Sequence, residues 1–227
     1  MDIKSGKDRA GRVVCTMVII RNETEADYKT VEEITRKAFY NLYMEGCMEH
    51  YLIHIMRRHE DFIPALDFVI ELDGQVIGNI MYTKSKLTDE SGTEKETLTF
   101  GPICVLPGFQ RRGYGKKLMA HSFGQAKKMG YDTIVIFGSP VNYVGSGFLS
   151  CKKYNVCLKN GKYPAAMLVK ELAPNALDGR KWFYQDSPVM AVNMEDAISF
   201  DDALVKMEKK HQASQEEFYI MSHSFIE

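Results

Sequence analysis

Residues 109–119 read FQRRGYGKKLM, with two glycines, four basic side chains and a glutamine at the entrance to an apolar-periodic segment. The chemistry open to such a stretch is anion binding. Glycines at 113 and 115 let backbone approach backbone, so that successive N–H groups can converge on one anion. A helix starting there adds the positive end of its dipole, and Arg111, Arg112, Lys116 and Lys117 add longer-range charge. A pyrophosphate suits this set. Two familiar phosphate loops do not fit. Gly108 and Gly113 have P-loop spacing, but Tyr114 stands where the lysine belongs and no Ser or Thr follows. Gly113-x-Gly115 begins a dinucleotide fingerprint, but Leu118 replaces the third glycine and no parallel βαβ frame surrounds it. The same residues also fit a glycine-softened helix start with solvated basic side chains, and loop chemistry alone leaves both readings open.

Other reactive residues are less organised. His50 and His54 are spaced i, i+4 on a predicted helix, yet no glutamate completes an HExxH order and no third ligand is evident, so no metal is expected. Ser139 lacks a GxSxG elbow. Cys104 reads as a small core residue rather than a nucleophile. The five cysteines are scattered without a CxxC pair, which favours reduced thiols in a cytoplasmic protein.

The elements that must position the loop follow from periodicity. Residues 17–21 read as a strand. Thr24 caps a helix carrying Tyr28, Val31, Ile34, Ala38 and Phe39, and a second helical pattern runs from about Glu45 to His59. Asp73-Gly74 marks a hairpin, and residues 90–96 form a second turn. In the run 97–106, Pro102 cannot donate to a ladder, which predicts a bulge or splay there. A helix from Gly113 to Met129, ended by Gly130, precedes a buried strand at 132–138, a short helical or looped piece, and a strand at 165–172. After Leu172 the chain becomes turn-rich and aromatic. Ser199 reads as the cap of one further helix, and Ser214-x-x-Glu217 as the capping box of another.

The expected architecture is α/β (α+β): a mixed, mostly antiparallel sheet flanked by helices. Residues 1–16 read as a flexible extension, 17–172 as the domain, and 173–227 as an appendage packed on it. The apolar run 13–20 is too short for a membrane span and is closed by Arg21 with no cleavage site, so neither a signal peptide nor a membrane partner is expected. With 29 basic against 30 acidic residues the chain is no polycation, and four charges in one turn make no extended nucleic-acid surface.

ICVLPGFQRRGYGKKLM resembles the signature of the GNAT superfamily of N-acetyltransferases, an apolar strand ending V-x-P, then Q/R-x-x-G-x-G/A opening a helix. Val105, Pro107, Gln110, Gly113 and Gly115 match in register. Ile20-Arg21 and Ala38-Phe39 resemble the family's opening strand and first helix. Tyr143 stands four residues before Gly147-Phe148, as the family's second mark requires. The resemblance covers about 17–172.

It implies acetyl transfer from acetyl-CoA directly to an amine in a ternary complex, without a metal. By position, Ile103, Cys104 and Val105 would lie along the pantetheine arm, one of their N–H groups polarising the thioester carbonyl. Gln110 belongs to the signature, and the backbone of Arg111, Arg112, Gly113, Tyr114, Gly115 and Lys116 would hold the pyrophosphate. Tyr143 would protonate the departing thiolate as general acid, with Ser139 and Asn142 lining the CoA channel. The base departs from the pattern: where the family often has glutamate, eleven residues before Gln110, this chain has Thr99. Glu96, three residues earlier, is then the candidate for a base acting through water, although a turn-flanking surface glutamate fits it better. The acceptor pocket would draw on residues 40–60, His50 and His54 among them, and on the tail with Trp182, Phe183 and Tyr184. Dimerisation is common among such folds. The rival function is a non-catalytic acyl-CoA-binding sensor: Thr99 favours it, Tyr143 favours catalysis.

Overall fold

The structure is a computed structural model that describes residues 2–7 and 13–227, with side chains from Thr16 onward. Strands β1 (Asp2–Lys7) and β2 (Val13–Asn22) pair antiparallel. Much of the expected flexible extension is therefore sheet, while residues 1 and 8–12 lie outside the described residues. Arg21 at the end of β2 clamps the next turn: its guanidinium meets Asp27 at 2.7 Å and Glu71 at 2.6 Å. Asp27 in turn accepts hydrogen bonds from the Thr24 N–H at 2.9 Å and hydroxyl at 2.7 Å, so the expected cap is present.

Helices α1 (Tyr28–Phe39) and α2 (Glu49–Met56) follow, then a meander of β3 (Phe68–Leu72), β4 (Gln75–Asp89) and β5 (Glu94–Val105). Alternation along these strands divides the core. Phe68, Ile80, Tyr82, Leu98 and Phe100 pack with Leu118 and Met119 of α3 (Tyr114–Lys128), whereas Val69 and Met81 pack with Val31, Ile53 and Met56 of α1 and α2. Gly78 permits a close approach of β4 to β5, because a Cβ there would run into the Cys104 carbonyl oxygen.

The remaining elements are β6 (Thr133–Phe137), the single turn α4 (Pro140–Tyr143), the short β7 (Leu149–Ser150) and β8 (Val156–Cys157), and β9 (Met167–Glu171). The last are β10 (Trp182–Gln185), α5 (Met194–Asp202) and α6 (Ala213–Ser222). The sheet order is β1-β2-β3-β4-β5-β6-β9-β7, with β10 joining β4 to β8. Pairing is antiparallel except for β5 with β6 and β10 with β8.

Two features open the sheet. The β4–β5 register slips between Ile80 and Tyr82, opposite Gly101 and Pro102, where the missing N–H predicts an irregularity. And β5 meets β6 only at Leu98 and Ile134; beyond that bridge β5 stays with β4 while β6 runs with β9 as far as Phe137–Met167. The two strands part like the arms of a V.

The tail is more integrated than an appendage laid on a finished domain. β10 pairs with residues 86–89 of β4, and Trp182 and Tyr184 are buried beside Leu87, Val135 and Val169. Helix α5 begins earlier than expected because Asn193, not Ser199, caps it, accepting from the N–H groups of Glu195 and Asp196.

Candidate active site

The opening between β5 and β6 continues into a cavity of about 960 Å³. One wall is strand, formed by Ile103, Cys104 and Val105. Another is the glycine loop and the start of α3, represented by Gln110, Arg111, Gly113, Gly115, Lys116 and Met119. A third is Ser139, Val141, Asn142 and Tyr143 on and before α4. Residues 38–43 and the C-terminal helix α6 complete it.

The loop takes the conformation its glycines allow. Gly108 (φ 88°) and Gly113 (φ 87°) are left-handed, as is Arg111 (φ 60°). Gly113 is the residue before the first turn of α3, and a Cβ on it would meet nothing within 4 Å. The space in front of the helix N-terminus is therefore open, with the first N–H groups of α3 unclaimed by the helix itself. Gln110 braces the loop, its side-chain amide donating to the Val105 carbonyl at 3.0 Å. Arg111 and Lys116 line the cavity and make no ion pair among the described residues. Lys116 reaches across toward the α4 segment, where a side chain on Gly145 would begin 3.6 Å from its Nζ.

Tyr143 is half-buried with its ring among Phe100 (5.8 Å between centroids) and Phe148 (5.9 Å). Burial, with a smaller contribution from Tyr43, holds its phenol well above the usual range. The hydroxyl is thus protonated at any physiological pH while the residue faces the cavity.

Eleven of the fourteen residues singled out from sequence line this one cavity, and three do not. Arg112 lies over the Phe109 ring at 5.7 Å, and Tyr114 packs against the core. Glu96 is held by Lys84 at 3.2 Å and by the Tyr131 hydroxyl at 3.0 Å, in a separate groove. Thr99, at the strand position where the family often has glutamate, is 2% exposed; its hydroxyl bonds Ser85 at 2.9 Å and Tyr184 at 2.5 Å. Cys104 touches the Thr35 hydroxyl at 3.3 Å, and burial pushes its thiol up to about 11, which leaves it unsuited to nucleophilic attack. His50 is buried against Asp201, and His54 binds Glu32 at 3.0 Å; neither lines the cavity. No cluster able to hold a metal occurs among the described residues.

The tail contributes otherwise than expected. Trp182, Phe183 and Tyr184 stay outside the cavity, and its lining comes from Ser214, Glu217, Phe218 and Met221 of α6. Their i, i+3, i+4, i+7 spacing is legible in the sequence as one helix face.

The model of the acetyltransferase (GNAT) family matches residues 29–143, and the chain belongs to that family. It is an N-acetyltransferase by that membership, acetyl transfer to an amine being the family reaction. Among its relatives is the uncharacterized N-acetyltransferase YjhQ of Escherichia coli K12, 24% identical over 127 residues, which are 56% of this chain and 67% of that one. The fold is shared with the E. coli GNAT protein YhbS, solved in complex with CoA (TM-score 0.66, 22% identity, 77% of this chain and 92% of that one). It is shared too with a Brucella melitensis GNAT acetyltransferase solved with acetyl-CoA (TM-score 0.59, 22% identity, 77% and 98% coverage). No helix among the described residues is long and apolar enough to cross a membrane.

Proposed function

We propose that the cavity at the V binds acetyl-CoA and that this chain transfers its acetyl group directly to an amine in a ternary complex. The observation that carries this reading is the convergence of the open helix N-terminus at Gly113, the exposed cations Arg111 and Lys116, and Tyr143 on one cavity. The two ends differ in chemistry as the ligand would require. The loop end offers N–H groups and positive charge to a pyrophosphate. The strand end offers the backbone of Ile103, Cys104 and Val105 to a pantetheine arm, one N–H polarising the thioester carbonyl.

In the reaction the neutral amine nitrogen forms a bond to the carbonyl carbon, the carbon–sulfur bond breaks, and the thiolate leaves. Tyr143 supplies the proton that the thiolate takes up, a role for which its raised phenol pKa guarantees the proton is present. The amine's own proton passes to solvent or to a base. Glu96 is committed to Lys84 and Tyr131 instead, and Thr99 carries no charge. The absence of a carboxylate at Thr99 is the feature that favours the sensor alternative. The four described cysteines are free and buried, which supports a cytoplasmic protein.

The test is thiol release from acetyl-CoA over a panel of amines, run with wild type and Tyr143→Phe. Turnover lost in the variant while acetyl-CoA still binds supports the reading. Binding without turnover on any amine supports the sensor instead.

A further inference from the structure

Ser214 and Glu217 have capping-box spacing, yet neither caps a helix: α6 begins after Gln212, and no side chain bonds its first turn. Both residues face the cavity instead, with Phe218 and Met221 beside them. The Ser214 hydroxyl is buried with no hydrogen-bond partner among the described residues, a costly arrangement unless something binds there. Glu217 is exposed at the cavity and makes no ion pair among the described residues. Of the described residues lining the cavity it is the single carboxylate, facing the same space as Arg111 and Lys116.

The position of α6 is fixed from both lips of the V. On one side Asn41 donates to the Glu208 carbonyl at 2.8 Å and accepts from the Lys210 N–H at 3.1 Å, while its own carbonyl accepts from Gln215 at 3.0 Å. The rings of Tyr43 and Phe218 stack at 4.5 Å. On the other side the Ala165 N–H donates to Ser224 at 2.9 Å and the Ile226 N–H to Tyr163 at 2.8 Å. The helix bridges residues 41–43 and 163–165, so Ser214 and Glu217 are held, not waving.

We propose that Glu217 and Ser214 form the acceptor-recognition site, and that the acceptor is an amine carrying a second positive charge. This rests on the acetyl-transfer reading. The attacking nitrogen must be uncharged to use its lone pair, so an acceptor cation that meets the exposed Glu217 carboxylate is a second charge on the acceptor. An ammonium brings three donors, which the Glu217 carboxylate and the idle Ser214 hydroxyl can share. Arg111 and Lys116 face the anionic donor, so the opposite charges of the cavity sort its two substrates. Glu217 and Tyr143 line the same cavity, one on α6 and the other at the end of α4.

The experiment compares initial rates on diaminobutane and butylamine for wild type, Glu217→Gln, Glu217→Asp and Ser214→Ala, with acetyl-CoA affinity measured by calorimetry for each. Wild type is expected to favour the diamine in kcat/KM by about three- to fivefold, chiefly through KM, as an exposed charge-assisted contact predicts. Glu217→Gln brings the ratio near one, Ser214→Ala lowers it, and Glu217→Asp keeps part of it. A ratio near one in wild type, a ratio that survives Glu217→Gln, or acetylation of neither amine overturns the proposal. So does a Glu217→Gln effect expressed in acetyl-CoA affinity or in the pH profile for butylamine. If acetyl-CoA itself fails to bind, the acetyl-transfer reading falls with it. If acetyl-CoA binds and both amines react without preference, only the acceptor site is wrong.

Discussion

The ring of Tyr143 rests directly on the Cα of Gly138, so that any Cβ at 138 would collide with ring atoms Cε2, Cδ2 and Cζ. Gly138 ends the strand arm that departs from β5, and its backbone N–H is tied to Ala166 at 2.9 Å. The glycine is therefore a seat for the proposed acid. Gly138→Ala forces the ring aside while leaving its hydroxyl chemically intact. We expect kcat to fall about a hundredfold, comparable to Tyr143→Phe, because a misplaced acid loses most of its contribution. Steady-state rates beside acetyl-CoA affinity check this; a loss confined to affinity would refute the seat role.

The cationic end of the cavity makes a separate prediction. Arg111 and Lys116 are exposed, so each contributes modestly and is screened by salt. The double variant Arg111→Ala, Lys116→Ala should weaken acetyl-CoA by about three- to tenfold at low ionic strength. The difference from wild type should shrink as salt rises. Calorimetric titration at two salt concentrations measures both effects.

Trp182 tests how far the tail belongs to the fold. It is 1% exposed, and its indole N–H donates to the Leu177 carbonyl at 3.0 Å. Trp182→Ala should cost about 3–5 kcal/mol, and the whole chain should still unfold in one transition. Two separate transitions would mean that residues 173–227 fold apart from the sheet.

His50 provides a pH signature. It is fully buried, with Nε2 3.3 Å from Asp201 Oδ1 but out of hydrogen-bonding alignment. Burial lowers its pKa from 6.5 to about 4. Between those values the unfolded chain holds the proton and the folded one does not, so stability must fall as pH drops through that window, by up to about 1.4 kcal/mol per pH unit. Denaturation at several pH values, compared with His50→Phe, isolates the contribution: wild type should lose stability relative to the variant as pH drops from 6.5 toward 4.

The glycine loop was readable because its determinants are local. Left-handed backbone at 108 and 113, and a helix that starts just after, follow from residue type alone. The irregularity opposite Pro102 was readable for the same reason. What stayed hidden depends on distant partners. The run Trp182-Phe183-Tyr184-Gln185 shows no alternation, and its strand identity comes from residues 86–89 and 156–157. Ser214-x-x-Glu217 spells a cap, but Asn41 and the Tyr43–Phe218 stack, not the cap pattern, set where α6 lies and which face it presents. Glu96 had no local mark of its pairing with Lys84, which only the β4–β5 register creates.

In the proposed complex acetyl-CoA lies in the V between β5 and β6 with its pyrophosphate at the start of α3. Amide hydrogen exchange of the full chain, with and without saturating acetyl-CoA, tests it most directly. Slowed exchange is expected at residues 103–105 and 111–116 together. Saturable binding that leaves both segments unchanged would contradict it.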